Sequence, residues 1–190
     1  MLTELNIIND AIRAVGMAPV ASMDSKLPAF INAKTTFEKV LTEQQLRGWW
    51  YNDFTVVLSP GTDNRITVPQ YAGSVSVFNM PNVIVRGNEL FDLATRSNKF
   101  DHPLKARIIE VLPIGSVPPR MRAFIAARTK LTHYVDEDGQ DPKLTMYANA
   151  DQLAEARVVA EDLRYRQRSL QDQQTFIATK WPYTKVNKVR

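Results

Sequence analysis

The 190-residue sequence contains no cysteine, which excludes disulfides and every cysteine-ligated zinc or iron–sulfur site and suits a chain made and assembled in a reducing cytoplasm. It has two histidines and seven glycines. His102 and His133 have no histidine partner four residues away, so no HExxH-type metal pair exists, and each reads as an ordinary surface or helix-capping residue. G-x-S-x-G, P-loop and G-x-G-x-x-G patterns are absent, which removes the usual signals of nucleotide and serine-hydrolase chemistry. No stretch approaches the ~18 apolar residues of a spanning helix, and the opening "MLTELNIIND" lacks the basic-then-apolar pattern of a secretion signal. No cofactor or metal is expected.

The net charge of +4 suggests nucleic-acid binding until it is located along the chain. Lys180, Lys185, Lys188 and Arg190 follow the last acid, Asp172, and account for the whole excess, leaving residues 1–172 balanced. A neutral body with a basic end results. The acidic run 136–141, "DEDGQD", looks like a calcium loop but places Gly139 fourth rather than sixth and Tyr147 where the closing glutamate belongs, so it reads as a turn. Twenty acids could supply a hydrolytic carboxylate pair by proximity, but no residue singles one out.

Hydrophobic periodicity divides the chain. Leu5, Ile8, Ile12 and Val15 predict a helix over 3–15 with Gly16 as its stop; Pro28 opens a second, carrying Phe30, Ala33, Phe37, Val40 and Leu41 and ending at Gly48. From residue 50 to about 112 the period becomes two, in "FTVVL", "RITV", "SVSVF", "VIVRG", "ELFDL" and "ARIIEVL", about six strands with a Gly87-Asn88 hairpin turn. A third helix over 120–134 lines up Met121, Phe124, Ile125, Leu131 and Tyr134. A fourth over 144–172 carries Leu153, Ala156, Ala160, Leu163 and Leu170 as one stripe, and its Arg157, Glu161, Asp162, Arg164, Arg166 and Arg168 read as a self-neutralised solvent face. The expected fold is α+β: a four-helix unit from both chain ends (1–49 and 116–172), an inserted antiparallel β subdomain (50–115), and an extended C-terminal tail (173–190).

Two clusters stand out as candidate sites. "LRGWWYNDF" sets Arg47, Gly48, Trp49 and Trp50 at the change of period, as a subdomain junction, a subunit interface or a ligand-stacking platform. The tail joins Phe176, Ile177, Trp181, Pro182 and Tyr183 to Lys180, Lys185, Lys188 and Arg190. Aromatic and basic side chains are common interface anchors, so the tail reads as an arm docking on a partner protein, with self-packing and nucleic-acid binding as alternatives.

"LNIINDAIRAVGMAPVASMDS" resembles the opening of the tail tubular protein A family of T7-like short-tailed bacteriophages, through Asn9, Asp10, Gly16, Pro19 and Val20. Arg47, Gly48 and Trp49 resemble the Arg-Gly-Trp that closes the family's second helix. Phe91-Asp92, Lys99-Phe100-Asp101 and Pro118, Met121, Arg122 resemble its sheet exit and third helix. The resemblance spans residues 3 to about 135 and fades beyond. It implies a non-enzymatic structural virion protein assembled in the host cytoplasm: a homo-oligomeric ring of twelve copies joining the capsid portal protein to the tail nozzle (tail tubular protein B), with viral DNA ejected through its channel. The tail would then be a portal-docking arm. A nucleic-acid-binding module and a tail-associated polysaccharide hydrolase are the other function classes considered.

Overall fold

The computed structural model describes residues 2–137 and 143–180, with side chains described through Gln167. Four helices, α1 (Glu4–Ala14), α2 (Pro28–Leu46), α3 (Pro119–Glu137) and α4 (Lys143–Lys180), enclose five strands, β1 (Asp53–Leu58), β2 (Ala72–Val77), β3 (Val83–Arg86), β4 (Glu89–Asp92) and β5 (Leu104–Glu110). The α+β plan of terminal helices around an antiparallel β insertion is therefore the one observed.

Helix boundaries follow local chemistry. The Thr3 hydroxyl accepts from the Asn6 N–H at the start of α1, and the helix closes with Gly16 at φ +78° while Met17 N–H returns to the Ile12 carbonyl. Only glycine takes that conformation without strain. Asn9, one of the resemblance residues, is nearly buried and pairs both ways with the Val20 backbone, donating to its carbonyl and accepting from its N–H, each at 2.8 Å. That clamp fixes the α1–α2 loop, so the Asn9 to Val20 spacing has a physical reason. Pro28 occupies the first turn of α2, where its missing N–H costs nothing.

The β segment forms two sheets: an antiparallel three-stranded sheet in the order β1-β5-β2, and a β3-β4 hairpin. Thr55 opposes Arg107 and Val75 opposes Ile108. Gly87 alone of the turn pair takes positive φ, as a two-residue turn with glycine first requires. The expected strand at "RITV" is instead joined by isolated bridges, Arg65 to Lys99 and Thr67 to Glu89. Pro69 follows it and has no N–H to extend a ladder. Ile66 and Val68 are nonetheless buried, in a β-side cluster with Val83, Leu90, Phe100 and Leu104. A larger cluster gathers Ile8, Ile12, Phe30, Phe37, Phe124 and Ile125 between α1, α2 and α3.

Three expectations are corrected. α3 runs to Glu137, so His133 lies a turn inside the helix and is buried rather than capping it; Thr129 is buried beside it, whereas Leu131 is only half-buried. α4 continues to Lys180, so residues 173–180 extend the helix where an extended tail was expected. The α4 stripe is on the opposite side from that expected: Leu153 and Leu163 are 54% and 53% exposed and Ala156 and Ala160 face outward. Val158 of α4 enters the helical cluster and Ala154 packs against it; the side chain of Leu170, also expected in the stripe, lies outside the described residues.

Replacing Asn9 with Ala removes two backbone partners from a nearly buried position, and urea unfolding is expected to show a loss of about 1–3 kcal/mol. A loss under about 0.5 kcal/mol, the range of an ordinary surface substitution, would mean the loop holds without the clamp.

Candidate functional site

The stretch 46–54 folds as a tight joint. Gly48 is buried at φ +74°, and a Cβ there would come within 3.1 Å of Ile109 Cδ1 and 3.2 Å of the Arg107 guanidinium, so both conformation and space select glycine. The chain reverses behind it. Trp49 sits in the helical cluster at 4% exposure. Its indole N–H donates to the Gln44 carbonyl at 2.6 Å and its backbone N–H to Asn52 Oδ1 at 2.8 Å. The Arg47 guanidinium lies 4.9 Å from the Trp49 ring centroid.

Two amides that sequence reasoning missed complete the joint. Asn52, wholly buried, donates through Nδ2 to the carbonyls of Gln45 and Glu110, at 3.0 and 2.6 Å. Gln45, also wholly buried, donates to the Leu112 carbonyl at 2.8 Å and accepts from its N–H at 3.0 Å. The end of α2 is thereby fastened to the end of β5. Their partners at the end of β5, Glu110 and Leu112, are main-chain groups 58 and 67 residues away, which no local pattern reveals.

Trp50 serves a different contact. It is half-buried, stacks on Tyr165 of α4 with centroids 5.4 Å apart and planes 2° from parallel, and donates its backbone N–H to Asp162 Oδ1 at 2.9 Å. Asp53 and Arg166, which border a shallow hollow with Trp49, Trp50 and Tyr165, belong to an ion cluster. Arg107 grips Asp53 with two bonds of 2.8 and 2.7 Å, and Arg166 bonds Asp162 at 2.8 Å and the Gly48 carbonyl at 3.1 Å.

Further along, α4 meets the body through Val158, Ala154 and the edge-on Tyr147–Tyr134 pair, with a row of charges around them. Arg128 of α3 bonds Asp151 at 2.8 Å and Glu155 at 3.0 Å, Arg47 bonds Glu155 at 2.7 Å, and Arg120 approaches Glu161 at 3.6 Å. Glu161, Asp162 and Arg166, expected on the solvent face, thus belong to this inner face. Arg157 and Arg164 remain on the outside. The Arg47–Glu155 and Arg120–Glu161 pairs are open enough to water to hold weakly, because side-chain ordering and solvent screening offset most of the Coulomb gain, whereas Asp151 is buried under Arg128. The Asp53 carboxyl is held below its usual range by the hydrogen bond from Arg107, and Glu155 by that from Arg47.

The structure thus brings Arg47, Gly48, Trp49 and Trp50 together where α2, β5 and α4 meet. Of the tail residues, Phe176, Ile177 and Lys180 lie on the last two turns of α4; Trp181, Pro182, Tyr183, Lys185, Lys188 and Arg190 lie outside the described residues. Among the described residues no group of three His, Asp or Glu could hold a metal, and no helix is long and apolar enough to cross a membrane. His102 is exposed. Burial lowers the His133 pKa.

Trp49→Ala is expected to lower stability by about 3 kcal/mol or more in urea unfolding, and normal melting would show that the indole is not structural. Asp53 and Glu155 titrate lower folded than unfolded, so their contribution is complete above the ordinary carboxylate value of about 4 and is lost as pH falls through their lower folded values. Trp50 fluorescence is accordingly expected to change below about pH 4 before far-UV dichroism does; coincident transitions would mean that α4 does not loosen separately.

A family model described as tail tubular protein matches residues 5–170. Tail tubular protein A of Klebsiella phage KP34 is 26% identical over 169 residues, spanning 86% of this chain and 88% of that relative. The family match takes in both sheets, the 46–54 joint and most of α4. The chain belongs to the tail tubular protein family and is a structural component of a bacteriophage tail.

Proposed function

We propose that this chain is the subunit of an adaptor ring, twelve copies round, between the capsid portal and the tail nozzle made by tail tubular protein B, with the genome passing through its channel. One observation carries the reading beyond the family: α4 turns Met146, Leu153, Ala156, Ala160 and Leu163 to the outside, where nothing among the described residues covers them. A contiguous apolar stripe of this kind on a surface helix marks a protein contact. A closed ring repeats one heterologous contact, so each subunit needs two unlike faces. In this reading residues 1–49 and 116–172 form the helical wall, 50–115 the β subdomain, and 173–190 the arm that docks on the portal.

Charge supports the conduit. Residues 1–172 are balanced, and a channel wall without a cationic excess offers DNA few phosphate contacts to drag against. The 46–54 joint sets the angle at which the helical and β parts meet their neighbours.

Purified full-length chain mixed with the portal of the same phage is expected to give rings seated on one face of the portal in negative-stain images. Absence of rings in every condition would overturn the proposal. Deleting residues 175–190 is expected to abolish portal attachment, and unaltered attachment would remove the arm from the account. The chain lacking residues 173–190 is expected not to shift duplex DNA at micromolar concentration and physiological salt; a clear shift would contradict the conduit reading.

A further inference from the structure

The structure assigns an internal water site to the second half of α3: one water molecule shared by the Thr129 hydroxyl and the His133 imidazole. Both side chains are shut off from solvent, at 0% and 1% exposure, and neither Thr129 Oγ1 nor His133 Nε2 meets a hydrogen-bond partner among the described residues. A buried polar atom without a partner carries its whole desolvation cost. Two of them on one stretch of helix therefore point to a ligand that satisfies both.

Their placement is regular. Thr129 and His133 stand four residues apart on α3, which sets their Cβ atoms about 5–6 Å from each other on one face of the helix. Ile125, four residues earlier on the same line, belongs to the helical cluster. The side of α3 turned to α4 is a different one, where Arg128 bonds Asp151 and Tyr134 meets Tyr147 edge-on. The pair thus continues the Ile125 line inward, toward α1 and α2, the other helices packed on α3. The Asn32–Glu137 bond, one turn beyond His133, holds α2 beside that end.

Thr129 also departs from the usual behaviour of a threonine inside a helix. Thr35 of α2 turns its hydroxyl back to the Ile31 carbonyl, one turn earlier, at 2.9 Å. Thr129 has the equivalent carbonyl in Ile125 and does not bond it. Its hydroxyl is left to serve another partner.

The chemistry of the two groups selects the ligand. Burial outweighs the pull of Asp136 and Glu137 and lowers the His133 pKa, so the ring is neutral at neutral pH. A hydroxyl and a neutral imidazole offer no charge, and an ion between them would be desolvated without compensation. Among the described residues no acidic or histidine cluster could hold a metal. A neutral imidazole has one nitrogen that donates and one that accepts. Water does both, so it serves Nε2 in either tautomer while bonding the hydroxyl, and it is small enough for a gap set by one helical turn.

Thr129→Val keeps the branched shape and removes the hydroxyl. The full-length variant is expected to melt about 2–4 °C below the unaltered protein, the shift that one lost hydrogen bond causes in a chain of this length. An unchanged or higher melting temperature would mean that the hydroxyl has no partner, and overturns the site. A second measurement separates a water from a protein partner. In a crystal structure of the full-length chain that shows ordered solvent, one water is expected within about 3.2 Å of both Thr129 Oγ1 and His133 Nε2, and crystals of Thr129→Val are expected to lack it. A direct bond between the two side chains, or a main-chain partner for either atom in place of the water, overturns the assignment.

Discussion

The buried amide bonds between α2 and β5 are the constraint on which the rest of the molecule depends. Asn52 and Gln45 together satisfy the carbonyls of Gln45, Glu110 and Leu112 and the N–H groups of Trp49 and Leu112. A buried amide left without such partners costs on the order of 1–3 kcal/mol, so the joint is made in full or fails as a unit. Gly48 lets the chain turn in that space and Trp49 fills it. The sheet on one side and the three packed helices on the other inherit their relative orientation from this point.

α4 obeys a different logic. Its inner face sets a row of acids, Asp151, Glu155, Glu161 and Asp162, around the buried Val158 and against Arg128, Arg47 and Arg120 of the body and Arg166 of its own next turn. Its outer face is apolar. A helix of an isolated globular protein arranges these the other way, because apolar burial on the core is worth ~25 cal/mol per Å² and exposed ion pairs give little. The inversion makes sense if the larger apolar contact is supplied by another molecule, as membership of a tail tubular family and the proposed ring both require. The first contact then holds α4 in a defined pose, and the second completes its burial.

The sequence made much of the scaffold legible. Gly16 and Pro28 mark helix ends through backbone chemistry that is local, and β1, β2, β3, β4 and β5 emerge from period-two patterning. The "RITV" segment shows where that stops, since alternation reports which side chains are buried and not whether a full ladder forms. Periodicity likewise found the α4 stripe but not the side of the helix that packs on the body, because a pattern of apolar residues marks a face and is silent on what lies against it. The true inner face sets charges around Val158 and Ala154, too little apolar surface to stand out as a stripe. His133 was misplaced because α3 outran its expected end, and Asn52 and Gln45 were invisible because their partners are remote main-chain groups. Trp49 and Trp50 could be singled out, but only coordinates separate the core indole of the one from the α4 stack of the other.

Native-state hydrogen exchange on the full-length chain tests this division between a rigid joint and a charge-held helix most directly. Amides of α2, β5 and the 46–54 joint are expected to exchange only through global unfolding, whereas those of α4 open locally, with protection that falls as salt rises and screens its ion pairs. Protection of α4 equal to that of the joint and indifferent to salt would contradict the account.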